Sequence, residues 1–264
     1  MYSPFDFNEA LGHKKEYIED NLREGSPVVG LAYDKGLLLL TLRRSQRKVY
    51  EIYDRQMFSA IGKQADIENI RLSSIQYAHQ EGFERSPDDV TIQRLAGFYL
   101  SPALKKAFGD HMTSPFVIRA IFAEMGKTSA NDIFYTLNYD GEFQHQPKVA
   151  VIAGSQTAED KMLERIGDIE TLLPLEEALS KALSAWTIGA REALRRRIGN
   201  KADEDDEFNL LRDVDEADAD QVFLKDELKT AQLEVAILER RNGQQIRFRL
   251  LSMKELEPLL ASHS

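Results

Sequence analysis

The chain has 264 residues, 42% of them hydrophobic and 30% charged, which is enough for one large or two small domains with a substantial core. It has no cysteine, and its five histidines (His13, His79, His111, His145, His263) lack ligand spacing, so disulfides, thiolate sites and cysteine nucleophiles are excluded and no metal or other cofactor is expected. The net charge of −10 is concentrated between Ala202 and Asp220, where ten acids stand against one base, Arg212; the remainder is close to neutral, and nucleic acid is not an expected partner.

Residues 1–7, MYSPFDF, lack a helical period and contain Pro4, so a mobile arm is expected there. Asn8 then reads as an N-cap, and Leu11, Lys15, Ile18 and Leu22 recur at helical spacing through a helix over 8–24. Gly25 is expected to stop that helix by adopting a positive φ. Four short strands follow at 27–33, 37–42, 48–53 and 57–61, the first two joined by a tight turn at Asp34-Lys35-Gly36. Two long helices are expected over 63–80 and 88–107, the second behind Ser86-Pro87.

Strands return at 117–125, 132–139 and 148–154, with a hairpin turn at Asp140-Gly141, and helices at about 157–167 and 174–197. The acidic segment 202–220 reads as an exposed insertion, and Arg191 and Arg195–Arg197 before it as residues that cap a helix C-terminus or pair with those acids. Strands at 233–239 and 245–250, joined by a turn at Asn242-Gly243, and a helix near 252–261 complete the chain. No basic stretch followed by an apolar run opens the sequence, and no apolar run approaches the ~18 residues of a membrane span, so a cytoplasmic protein without membrane contact is expected.

Runs of strands separated by pairs of helices disfavour a parallel doubly wound sheet, in which strands and helices alternate. They fit two mainly antiparallel sheets stacked face to face with helices on both outer faces, an α+β, four-layer αββα sandwich. The expected organisation is arm 1–7, one domain over 8–250, and a C-terminal helix and tail over 251–264.

Gly25-Ser26-Pro27 and the strand pair that follows resemble the opening hairpin of a proteasome subunit. Lys48, Ile52, Asp54, Ala60 and Gly62 within KVYEIYDRQMFSAIG (48–62) resemble the family's next segment, and Ser114-Pro115-Phe116-Val117 and Leu137-Asn138-Tyr139-Asp140-Gly141 resemble later ones. The resemblance covers about 8–199 and returns at 232–250. It implies the sandwich of the N-terminal-nucleophile hydrolases.

That family holds catalytic β-type and non-catalytic α-type subunits, and the resemblance leaves two readings. In the first, cleavage after Gly25 frees Ser26 as an N-terminal nucleophile whose amine is the general base, with Lys48 as the activating lysine. Against it, the family's carboxylate position falls on Leu42, which cannot accept a hydrogen bond; the connection Arg43–Arg47 is shorter than in β-type subunits; and Pro27 follows Ser26. In the second and favoured reading, 8–24 is the α-type N-terminal helix and the chain catalyses nothing itself. The resemblance then implies a seven-membered α ring stacked on catalytic β subunits. Lys48 and Gly25 would line a pocket between neighbouring subunits of that ring for the C-terminal carboxylate of an ATP-dependent unfoldase or other activator, and Met1, Tyr2, Ser3, Pro4 and Phe5 would form an axial gate.

Overall fold

A computed structural model describes residues 4–110, 112–199, 216–240 and 247–262. Helix α1 (Pro4–Leu22) leads into β1 (Val28–Tyr33), β2 (Gly36–Arg43), β3 (Val49–Tyr53) and β4 (Gln56–Gly62). Next come α2 (Gln64–Glu84), α3 (Ile92–Arg94), a π-helical stretch Leu95–Leu100 and α4 (Ser101–Gly109). Strands β5 (Ile118–Glu124), β6 (Ile133–Asn138), β7 (Phe143–Gln146) and β8 (Val149–Ile152) precede α5 (Gln156–Ile166) and α6 (Leu175–Gly199). The chain closes with α7 (Glu216–Thr230), β9 (Gln232–Glu239), β10 (Arg247–Leu250) and α8 (Met253–Ser262).

The strands form two five-stranded sheets, ordered β10-β9-β2-β1-β8 and β3-β4-β5-β6-β7, and every pairing in them is antiparallel. Strand β2 is almost wholly apolar because the pleat sends alternate residues into two different buried layers. Leu37 and Leu39 point between the sheets with Val28 and Ala32, where they meet Met57, Ile121 and Phe134. Leu38, Leu40 and Leu42 point the other way with Val29 and Leu31, under Met162, Leu183 and Trp186 of α5 and α6. A third layer packs Phe58, Ala60 and Phe122 of the second sheet against Ile67, Ile70, Leu95 and Leu104 of the helices beyond it. Three apolar layers between four tiers of backbone make the expected αββα sandwich, and each fully buried leucine contributes about 1.5–3 kcal/mol to it.

Several boundaries differ from expectation. Helix α1 begins at Pro4 rather than Asn8, since proline is well suited to a first helical turn, so only Met1–Ser3 of the expected arm lie outside the described residues. Gly25 has no positive φ. Its amide donates to Leu22 O at 2.9 Å, and a Cβ there would stand 2.8 Å from Ile61 Cβ, so glycine is needed for the close pass of the turn over β4.

The expected helix 88–107 is interrupted. Ser86 caps only a 3₁₀ turn, Pro87–Asp89, and Thr91 caps a new start. Gln56 Nε2 donates to Val90 O at 2.9 Å and the buried Glu124 carboxylate accepts the Ile92 amide, which holds 90–92 away from the preceding turn. The π-helical stretch then runs up to Pro102, which has no N–H to offer an ordinary helical bond.

Two elements were not expected. β7 is an exposed edge strand with one apolar residue, Phe143, and it receives the Asp140-Gly141 turn from β6; β8 joins the other sheet. Helix α7 takes up the end of the acidic segment: Glu216–Asp220 are helical, while 202–215 and the Asn242-Gly243 turn lie outside the described residues. Asp220 bonds Arg191 at 2.9 Å and Arg165 at 3.1 Å, tying α7 to α6 and α5, so the expected pairing of Arg191 with the acidic segment is present. Among the described residues no helix is long and apolar enough to cross a membrane, and no group of His, Asp and Glu could hold a metal ion.

Candidate functional site

Helix α1 lies across the sandwich, with Ile18 and Leu22 buried in the layer between the sheets. Its Glu19 accepts from Tyr139 Oη at 2.8 Å and from Arg119 Nη2 at 3.4 Å, while Lys14 Nζ donates to Thr113 O at 3.0 Å. Arg119 also bonds Glu159 of α5 at 3.1 Å, so one largely buried guanidinium joins α1, the second sheet and the helix over the first.

At the C-terminal end of α1 the chain turns through Gly25 and Ser26 into β1. A cavity of about 340 Å³ opens beside this turn. Gly25, Ser26, Lys48 and Gly62 line it together with the apolar Leu42, Ile61, Trp186 and Phe223, and Arg44 and Arg47 stand at its edge. The fold therefore brings Gly25 and Lys48 together across 23 residues of sequence; Pro4 and Phe5 lie at the other end of α1, and Met1, Tyr2 and Ser3 are outside the described residues.

Lys48 sits where the chain crosses from one sheet to the other. Its amide and that of Val49 donate to the carboxylate of Glu234 on β9, at 3.2 and 3.0 Å, and Arg43 Nε is 3.2 Å from the same carboxylate. This anchors the backbone of the connection. The half-buried Lys48 side chain turns inward, and Nζ donates to Ser26 O at 2.7 Å and to Thr41 Oγ1 at 3.1 Å. Burial pushes the amine down to about 7, and the Glu234 carboxylate opposes that fall only in part. The site thus holds an amine that gains its proton near neutral pH, beside an apolar recess.

Ser26 is differently placed. Its nitrogen is an amide joined through Gly25 to α1, so it has no basic amine. Its hydroxyl donates to Leu42 O at 2.9 Å and accepts from Trp186 Nε1 at 3.3 Å; the same indole N–H reaches Pro27 O at 3.0 Å. Leu42, at the family's carboxylate position, is buried in the layer under the helices. Lys48 has a hydroxyl, Thr41, where an activated nucleophile needs a carboxylate nearby.

Sequence reasoning missed Thr41, Trp186 and Glu234. Glu234 left a readable signal: with period two it shares the inward face of β9 with Ala236 and Leu238, and a carboxylate on a core face requires donors.

The proteasome subunit family profile matches residues 22–193. The proteasome subunit alpha of Streptosporangium roseum is 34% identical over 193 residues, covering 71% of this chain and 73% of that one. Its counterpart from Actinosynnema mirum is 33% identical, covering 69% of this chain and 68% of its own. The proteasome subunit alpha of Streptomyces coelicolor is 28% identical across 99% of this chain and 91% of its own. With the sandwich and the segments at Gly25 and Lys48–Gly62 already in place, these matches identify the chain as a member of the proteasome subunit family, allied to its bacterial alpha subunits.

Proposed function

We propose that this chain is a non-catalytic α-type subunit of a cytoplasmic proteasome core particle. It forms a homo-oligomeric, heptameric outer ring that stacks on β subunits, and the β subunits perform the proteolysis as threonine proteases. The observation that carries this reading is the junction of α1 with β1. A helix bonded down across the sandwich leads straight into Ser26, whose hydroxyl is engaged with Leu42 O and Trp186. A β-type nucleophile requires the opposite, a hydroxyl free to attack into an open cleft.

The cavity shared by Gly25 and Lys48 takes the C-terminal tail of an ATP-dependent unfoldase or other activator. The tail carboxylate replaces Ser26 O or Thr41 Oγ1 as the acceptor of the Lys48 ammonium, a charge-assisted exchange in a partly desolvated recess. Residues Met1–Phe5, continuing the N-terminal end of α1, converge on the ring axis as the gate. The test is stimulation of the reconstituted particle by an activator's C-terminal peptide. Lys48→Met abolishes stimulation and leaves ring assembly, followed by light scattering, intact; unchanged stimulation would refute the pocket. Removing residues 1–7 raises unstimulated peptide hydrolysis, and an unchanged rate would refute the gate.

A further inference from the structure

The crossing between the sheets carries more positive charge than the docking of one carboxylate requires. Arg44 and Arg47 are exposed at the edge of the cavity, and among the described residues neither guanidinium has an ion pair or hydrogen bond. Elsewhere exposed arginines find partners close by, as Arg23 does with Asp20 at 3.0 Å and Arg85 with Glu81 at 3.4 Å. The backbone that presents Arg44 and Arg47 is held at both ends. Arg43, Lys48 and Val49 are fastened to Glu234, and Tyr50 Oη donates to Arg47 O at 2.6 Å. Two cations without a partner among the described residues are thus displayed from a fixed loop beside an apolar recess, and a fixed loop lowers the entropy cost of pairing them with a ligand.

We propose that this site selects tails carrying an acidic side chain a few residues ahead of the C-terminus, which Arg44 and Arg47 recognise. The inference rests on the tail-docking reading and adds a specificity to it. With the terminal carboxylate at Lys48, a recess of about 340 Å³ has room for two or three residues. At about 3.4 Å per residue of extended chain the next residues emerge at the rim, so the acid belongs at about the third to fifth position from the end. Glu24 and Glu227, which also line the cavity, repel an acid placed elsewhere and narrow the choice to the Arg44–Arg47 side.

The experiment measures binding of fluorescent N-acetylated octapeptides to the full-length chain by anisotropy. An otherwise neutral peptide with a free C-terminus is compared with versions bearing Glu at the third, fourth or fifth position from the end, and each is also made as the C-terminal amide. One Glu peptide is expected to bind about three- to tenfold more tightly than the neutral one, the range for one or two exposed pairs. That preference disappears in the Arg44→Gln/Arg47→Gln variant, which binds the Glu peptides no more tightly than the neutral one, and shrinks at high salt. Equal binding of the Glu and neutral peptides, or a preference that survives the double substitution, overturns the inference alone. Amides that bind as well as free acids, with no effect of Lys48→Met, overturn the docking reading beneath it.

Discussion

The most informative perturbation of the proposed docking site is pH, because the Lys48 amine is poised to change charge. Burial holds Lys48 at about 7 against an ordinary 10.5. About nine-tenths of free sites carry the ammonium at pH 6 and about one-tenth at pH 8, and each unit beyond that removes another factor of about ten, or about 1.4 kcal/mol. A tail carboxylate is ionised throughout this range and binds the ammonium form. Once docked it raises the pKa of the lysine, so the decline continues until the pH reaches that raised value. The assay is anisotropy titration of an N-acetylated tail peptide between pH 6 and 9 at constant ionic strength. Affinity is expected to fall about tenfold from pH 6 to 8, and Lys48→Met to bind weakly with a flat profile. A flat profile for the parent chain, or the same slope in Lys48→Met, would refute the assignment of the amine.

Further outcomes follow from the same geometry. The folded-state value of Lys48 lies below the 10.5 of the unfolded chain, so between about pH 7 and 10.5 the unfolded state holds the extra proton; denaturation should show stability rising with pH in that window, a slope that Lys48→Met removes. Glu234→Ala strands the buried amides of Lys48 and Val49 and should cost about 2–4 kcal/mol in urea unfolding, whereas Glu234→Gln keeps an acceptor and costs less. Because the Glu234 charge raises the Lys48 pKa, Glu234→Gln should also move the pH midpoint of tail binding downward, and an unmoved midpoint would contradict that coupling. Gly62 has a φ of +131°, and a Cβ there would lie 2.0 Å from Val117 O; Gly62→Ala should cost about 3 kcal/mol, lowering Tm by about 6–12 °C, with a drop under about 2 °C contradicting the account. Glu19→Ala removes the acceptor of Tyr139 and Arg119, so amide exchange along α1 should quicken about five- to thirtyfold by hydrogen-exchange mass spectrometry while β1 and β2 stay protected.

Most of the sandwich was legible because its strands obey a simple rule: apolar on both faces where both are covered, as in GLLLLTLR, and bounded by turn residues. β7 escaped because an edge strand pairs through its backbone and needs few apolar side chains; FQHQ is exposed and offers one apolar residue, Phe143. Helix α7 escaped because the charge that marks 202–220 as solvated runs without a break into Glu216–Asp220, whereas Ala219, Phe223 and Leu224 bury its inner face. In the site, Lys48 and Gly25 were named through a resemblance, and the physical reason for each came only with the fold. Gly25 is fixed by the approach of Ile61, a residue 36 positions away, and the setting of Lys48 by Glu234, 186 positions away. Local propensity carries neither distance.

Trp186 is the single tryptophan of the chain, and it is 1% exposed with its indole N–H directed at Pro27 O and Ser26 Oγ. It also stands in the wall of the cavity. The purified chain therefore carries its own optical probe: all indole emission originates at the α1–β1 junction. A tail entering the recess, a proton leaving Lys48 or a helix lifting from the sandwich would each register as a change in the colour or yield of one fluorophore, with no label attached.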